Sequence, residues 1–155
     1  MRILSIFSLF ILLLFPGGGM ETVKTHENLT DLFDHVIKMN VIVDNQAISL
    51  DKDDGKFKNI LKVLKEVTEY SHDMPAFGVS IDDLTRKELK SGVWIELEFE
   101  KTEYFNEMPF DALLIKVEEN VYGFNLIRRY KGKYEGRCFY LSLEKSMNKF
   151  YDIFK

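Results

Sequence analysis

Cysteine is nearly absent from this chain. Cys138 stands alone, which excludes an intramolecular disulfide and suits a reducing compartment. Proline occurs only three times, and no Pro/Ser-rich linker divides the sequence. The three histidines, His26, His35 and His72, have no His or Cys partner at metal-ligand spacing, so no zinc site is expected. His35 is expected to be solvated on the polar side of a first helix. Gly17-Gly18-Gly19 lacks the Lys-Ser/Thr of a phosphate loop, and no Gly-x-Ser-x-Gly elbow occurs. Asp51-Lys52-Asp53-Asp54-Gly55 begins like a calcium loop, but Lys62 occupies the position of its bidentate Glu. Those acidic residues are read instead as the lead-in to a helix. No cofactor, metal or catalytic residue is therefore assigned. Cys138, mid-strand, is read as a small packing residue.

Charge of one sign is also not extreme. A formal net charge of −4 and a pI near 5.4 argue against a general nucleic-acid or membrane-surface binder. Hydrophobic residues at 46% and charged residues at 30% describe an ordered protein.

What is present begins with Ile3–Phe15, an apolar run broken only by Ser5 and Ser8. Arg2 precedes it, and Pro16 and three glycines follow. That is the outline of a secretory signal peptide, and it falls short of the roughly 20 residues of a membrane helix. A second reading is favoured. Glycine codons before Met20 can spell a purine-rich ribosome-binding sequence, and A/T-rich leader DNA translates into Phe, Leu, Ile and Ser. Met20 is then the start in a bacterial, cytoplasmic protein that meets no membrane; under the first reading the protein is secreted. Residues 1–19 are excluded from the fold in both cases, and residues 20–155 are expected to form a single α+β domain.

Periodicity sets the expected elements. Leu29, Leu32, Phe33, Val36 and Ile37 share one face of a short helix ending at Met39, capped by Asn28 or Thr30. Val41–Val43 and Ala47–Leu50 flank Asp44-Asn45-Gln46 as a small hairpin. Phe57, Ile60, Leu61, Leu64, Val67 and Tyr70 mark a helix over about 56–71. Met74-Pro75 ends that region. Ser80 with Asp83 resembles a capping box for a helix through Lys90.

Four strands follow. Val93, Ile95, Leu97 and Phe99 alternate with Trp94, Glu96, Glu98 and Glu100. Residues 111–117, 121–130 and 137–143 complete an antiparallel meander over about 93–143, with Tyr122, Phe124, Leu126, Phe139, Leu141 and Leu143 inward. Ser142 then caps a closing helix carrying Met147, Phe150, Tyr151 and Phe154. Helices, meander, helix is an α+β order.

The outer face of that meander is the candidate binding surface. Alternation puts Trp94, Glu96, Glu98, Arg129 and Tyr140 on it, beside Leu114, Lys116, Asn125 and Ile127. The basic hairpin tip at residues 128–137 adds Lys131, Lys133 and Tyr134. Aromatic and apolar residues ringed by charge suit protein recognition. The expected function is binding another protein, as small, acidic, motif-free inhibitor or immunity-type proteins do. Nucleic acid is the weaker partner, since the domain is acidic. The alternative is a nuclease or other phosphate-ester hydrolase using Glu96 or Glu98 with Arg129 and Tyr140. The composition leaves oligomeric state open.

Overall fold

The computed structural model describes residues 26–155, so the readings of residues 1–19 and of Met20 as a start lie outside the described residues. The protein is α+β, and its sheet is larger than the expected meander. Seven antiparallel strands pair in the order β2-β1-β4-β5-β6-β7-β3. They are β1 Val36–Val43, β2 Gln46–Asp51, β3 His72–Ser80, β4 Val93–Phe105, β5 Met108–Val117, β6 Gly123–Arg129 and β7 Gly136–Ser142. The helices are α1 Gly55–Thr68, α2 Asp82–Glu88 and α3 Asn148–Tyr151, with short 3-10 turns at Leu29–His35 and Asp152–Phe154.

The β4–β7 meander occupies the middle of the sheet, as the alternation requires. Ile95 pairs with Ile115 and Leu97 with Leu113; Ile115 also pairs with Leu126. These residues and Phe139 and Leu141 form one fully buried face. The helical layer over it brings Leu29, Leu32 and Phe33, then Phe57, Ile60 and Leu64 of α1, then Met147 and Phe150. The i, i+3, i+4 spacing of α1 is thus spent on this core.

The first helix is a correction. Leu29–His35 is a 3-10 helix, and Val36 opens β1 instead of continuing a helix to Met39. The apolar residues that suggested one helical face divide between two elements and still reach one core. The hairpin is present: β1 turns into β2 through Asp44 and Asn45, both with positive φ, and Val43 pairs with Gln46. That two-residue geometry matches strand twist. Asn106 and Glu107 repeat it, extending β4 to Phe105 and starting β5 at Met108.

β3 replaces the expected break at Met74-Pro75; it forms the sheet edge beside β7. Ser80 does not cap α2, because its hydroxyl donates to the carbonyl of Gly136 and Ile81 holds the cap position. Ser142 lies in β7 and α3 starts only at Asn148. Tyr122 is exposed, since β6 begins at Gly123 and alternation sets in after it. Tyr70 lies past the end of α1 and is exposed as well. Among the described residues no helix is long and apolar enough to cross a membrane.

Candidate functional site

The second face of the sheet carries the expected surface residues, but half of it is roofed. α2 and the turn at Tyr130–Gly136 fold over it. Asp82 is the fastening: one carboxylate accepts the backbone N–H of Tyr134 at 2.8 Å and Nε of Arg86 at 2.9 Å. Arg86 also donates to the carbonyl of Gly132 and lies 5.1 Å over the Tyr134 ring. These hydrogen bonds hold the Asp82 carboxyl below its usual range.

Trp94 is therefore not a surface residue. It is 1% exposed and packs with Leu114 and Tyr134 into a second, smaller core, joined by Ile42, Leu89 and Ile127. Its indole N–H donates to the carbonyl of Ser91 at 2.9 Å, and Lys116 lies over its ring. The strand alternation placed Trp94 on the correct face; the roof over that face removed it from solvent.

Glu96 is 4% exposed at the centre of a polar network beneath the same roof. Its Oε1 accepts from the Tyr134 hydroxyl and from Nη1 of Arg129 at 2.7 Å. Its Oε2 accepts from the Asn40 amide at 2.9 Å, and that amide also donates to Glu98. Arg129 continues the network to Asp111 at 2.8 Å and to Glu98 at 3.9 Å. Burial opposes the Arg129 charge, but the Asp111 hydrogen bond and the three carboxylates outweigh it and raise its pKa. Burial, then the hydrogen bond to the Glu96 carboxylate, pushes the Tyr134 phenol well above its ordinary range. Of the β4 glutamates, Glu96 and Glu98 meet Arg129 of β6 across the intervening β5, while Lys116 pairs with Glu118.

This arrangement withdraws Glu96 from solvent, while Glu98, Asp111 and Arg129 keep part of their side chains exposed. General acid–base work needs a carboxyl within reach of a substrate proton. Glu96 instead meets three donors and is covered by Tyr134. Of the basic tip, Arg128 is also pinned, donating to the carbonyls of Arg137 and Pro109, and burial lowers its pKa. Lys131 and Lys133 remain exposed, Lys131 over the Tyr130 ring and Lys133 4.0 Å from Glu135. Tyr140 is half-buried, its hydroxyl close to Gly123. Cys138 is buried, and burial raises its thiol pKa, which suppresses the nucleophilic thiolate.

Two features were not legible from spacing. A groove of about 200 Å³ runs between β3 and α2, lined by Val79, Ile81 and Leu84, all strongly exposed, with Ile127 and Cys138 at its floor. At the other end of β3, a polar cleft of about 700 Å³ is lined by Glu27, Glu69, Asp73, His72, Ser71 and Asn106, among others. Burial raises the Asp73 carboxyl pKa, although the Leu29 N–H donates to it at 3.1 Å. Both features depend on β3, whose sequence His72–Ser80 has no alternation to announce a strand.

No protein-family model matches the chain, and neither a curated protein nor a solved structure matches it.

Proposed function

We propose that the protein acts by binding another protein, as an inhibitor- or immunity-like module, and that an extended segment of the partner adds along the open edge of β3. The observation that carries this reading is the edge itself. β3 ends the sheet and pairs only with β7 among the described residues. A terminal strand presents unpaired backbone donors and acceptors that can accept another strand. Exposed Val79, Ile81 and Leu84 supply apolar contact at one end of that edge. Glu27, Glu69 and Asp73 supply negative charge at the other. The fitting partner segment carries aliphatic residues and, some positions away, a basic side chain. Lys131 and Lys133 form the basic flank beyond α2 and would meet acidic residues of the partner.

The reading moves the centre of the surface from Trp94 to β3 and α2. Replacing Trp94 disturbs a core, so it reports on folding and not on recognition. The hydrolase alternative rests on Glu96 or Glu98: Glu96 would have to leave three hydrogen bonds, and Glu98, part exposed, already accepts from the Asn40 amide.

The test is capture of a partner from the native host by the wild type and by Leu84→Glu and Ile81→Glu. Both side chains are solvent-exposed, so the variants should fold. The expected result is loss of the captured protein with either variant, and slowed hydrogen exchange at the β3 amides in the wild-type complex. Undiminished capture together with unprotected β3 amides overturns the reading.

A further inference from the structure

Two histidines on either side of the 3-10 helix and a glutamate far along the chain meet at one end of the sheet. His26 precedes the 3-10 helix, His35 closes it, and Glu103 lies near the end of β4. Backbone placement brings them together: the N–H of His26 donates to the carbonyl of Tyr104, beside Glu103. The seven-residue 3-10 helix then returns the chain so that His35 faces the same carboxylate. The two imidazoles stand edge to face with centroids 4.8 Å apart.

We propose that His26, His35 and Glu103 form a binding site for a divalent transition-metal ion, zinc by its donor set. One nitrogen of each ring and one carboxylate oxygen all lie within 4.8 Å of one another. Nε2 of His26 is 2.9 Å from Oε2 of Glu103, and Nδ1 of His35 is 3.6 Å from Oε1. The first distance is a hydrogen bond; the second is too long for one. Zinc–nitrogen and zinc–oxygen bonds near 2.0–2.1 Å set tetrahedral ligand atoms about 3.4 Å apart. Since the three atoms lie within 4.8 Å of one another, reaching that spacing closes the widest pair by at most about 1.4 Å.

The donor chemistry selects the ion. Two imidazoles and one carboxylate suit zinc and its transition-metal neighbours, whereas calcium and magnesium prefer oxygen alone. Exposure sets the coordination. The side chains of His26 and Glu103 are 6% and 7% exposed, but that of His35 is 43% exposed. In the buried pair the ion would take the place of the Nε2 proton that His26 donates to Glu103, releasing that proton to solvent, and the His35 side opens to water, which would take the fourth position. An ion there would tie the segment before the 3-10 helix to β4. The sequence spacing of nine between the histidines hides this, because their nearness depends on the 3-10 turn and on a strand residue 68 positions beyond His35.

The test titrates the metal-stripped full chain with Zn²⁺ by calorimetry and with Co²⁺ by visible absorption. The wild type should take one ion per chain, and Co²⁺ should give the strong visible bands of a four-coordinate site. His35→Ala and Glu103→Gln should weaken zinc binding on the order of a hundredfold or more, above the effect of losing a supporting residue. His72→Ala, outside the cluster, should bind as the wild type does. Circular dichroism of each variant separates lost binding from lost folding, and His35, half exposed, is the variant that keeps the fold. Absence of zinc binding by the wild type, or equal affinity in folded His35→Ala, overturns the proposal. Equal affinity for Mg²⁺ overturns it too.

Discussion

The hydroxyl of Tyr134 donates to Oε1 of Glu96, the same oxygen that receives Nη1 of Arg129. A turn residue thus closes a polar network built on the middle of the sheet. Tyr134→Phe keeps the ring against Trp94 and removes only the donor. Hydrogen bonds to a charged group contribute about 1.5–3 kcal/mol, so urea unfolding should show a loss of that size. A change under about 0.5 kcal/mol would mean that the hydroxyl does not hold the network.

The same phenol gives an alkaline signature. Its pKa is raised in the folded state above the ordinary value of 10.0. Between the unfolded and folded pKa values the folded state binds the extra proton, so stability falls as pH rises. The contribution is complete below about pH 10 and is lost progressively as pH rises from there toward the raised folded value. Urea unfolding across pH 8–11, the range about the ordinary tyrosine pKa, should show wild type and Tyr134→Phe converging in stability at the alkaline end. Parallel curves would contradict the raised pKa.

Trp94 is the single tryptophan and is 1% exposed. Its fluorescence should resist acrylamide quenching in the folded protein and shift to the red on unfolding. Trp94→Ala should cost about 3–5 kcal/mol, the range for emptying a large aromatic site. Ready quenching of the native protein would show that α2 and the Tyr130–Gly136 turn do not cover this face.

Much of this was legible in the sequence, and the physical reason differs by element. The strands β4 to β7 announce themselves, because one face needs apolar residues at every second position. Asp44-Asn45 marks its turn because both residues tolerate positive φ. Glu96 and Arg129 were correctly placed on one face by the same alternation. Their burial was not readable, since the cover comes from Tyr134, 38 residues further on. Leu29 to Ile37 misled because a 3-10 turn followed by a strand can bury the same residues as a helix. β3 could not be read at all: Gly78 and Pro75 weaken strand propensity, and its place beside β7 is fixed by pairing between His72–Ser80 and partners as far on as Ser142.

Two glycines should respond in opposite directions to alanine. At Gly123 a Cβ would lie 2.8 Å from the carbonyl oxygen of Leu141 and closer still to the Tyr140 hydroxyl. Gly123→Ala should therefore destabilise by about 1–3 kcal/mol, as overpacking does. At Gly55, which opens α1, a Cβ meets nothing within 4 Å and φ is not positive. Gly55→Ala should stabilise by about 0.4–1 kcal/mol by restricting the unfolded chain. Thermal midpoints of the two variants should move to opposite sides of the wild type; a shift in the same direction would refute the contrast.

The strand order carries a consequence for how the chain acquires its shape. During synthesis β1 and β3 leave the ribosome before β4 and β7, the meander strands they pair with in the finished sheet. Only the β1–β2 hairpin can close early. β3 must wait for β7, and that wait closes a long loop whose entropy is paid before any contact rewards it. The meander β4–β7, made of neighbours, is the natural nucleus, and the N-terminal strands are recruited onto its two sides. Slow folding phases should therefore trace to the docking of β3, the last edge to be zipped.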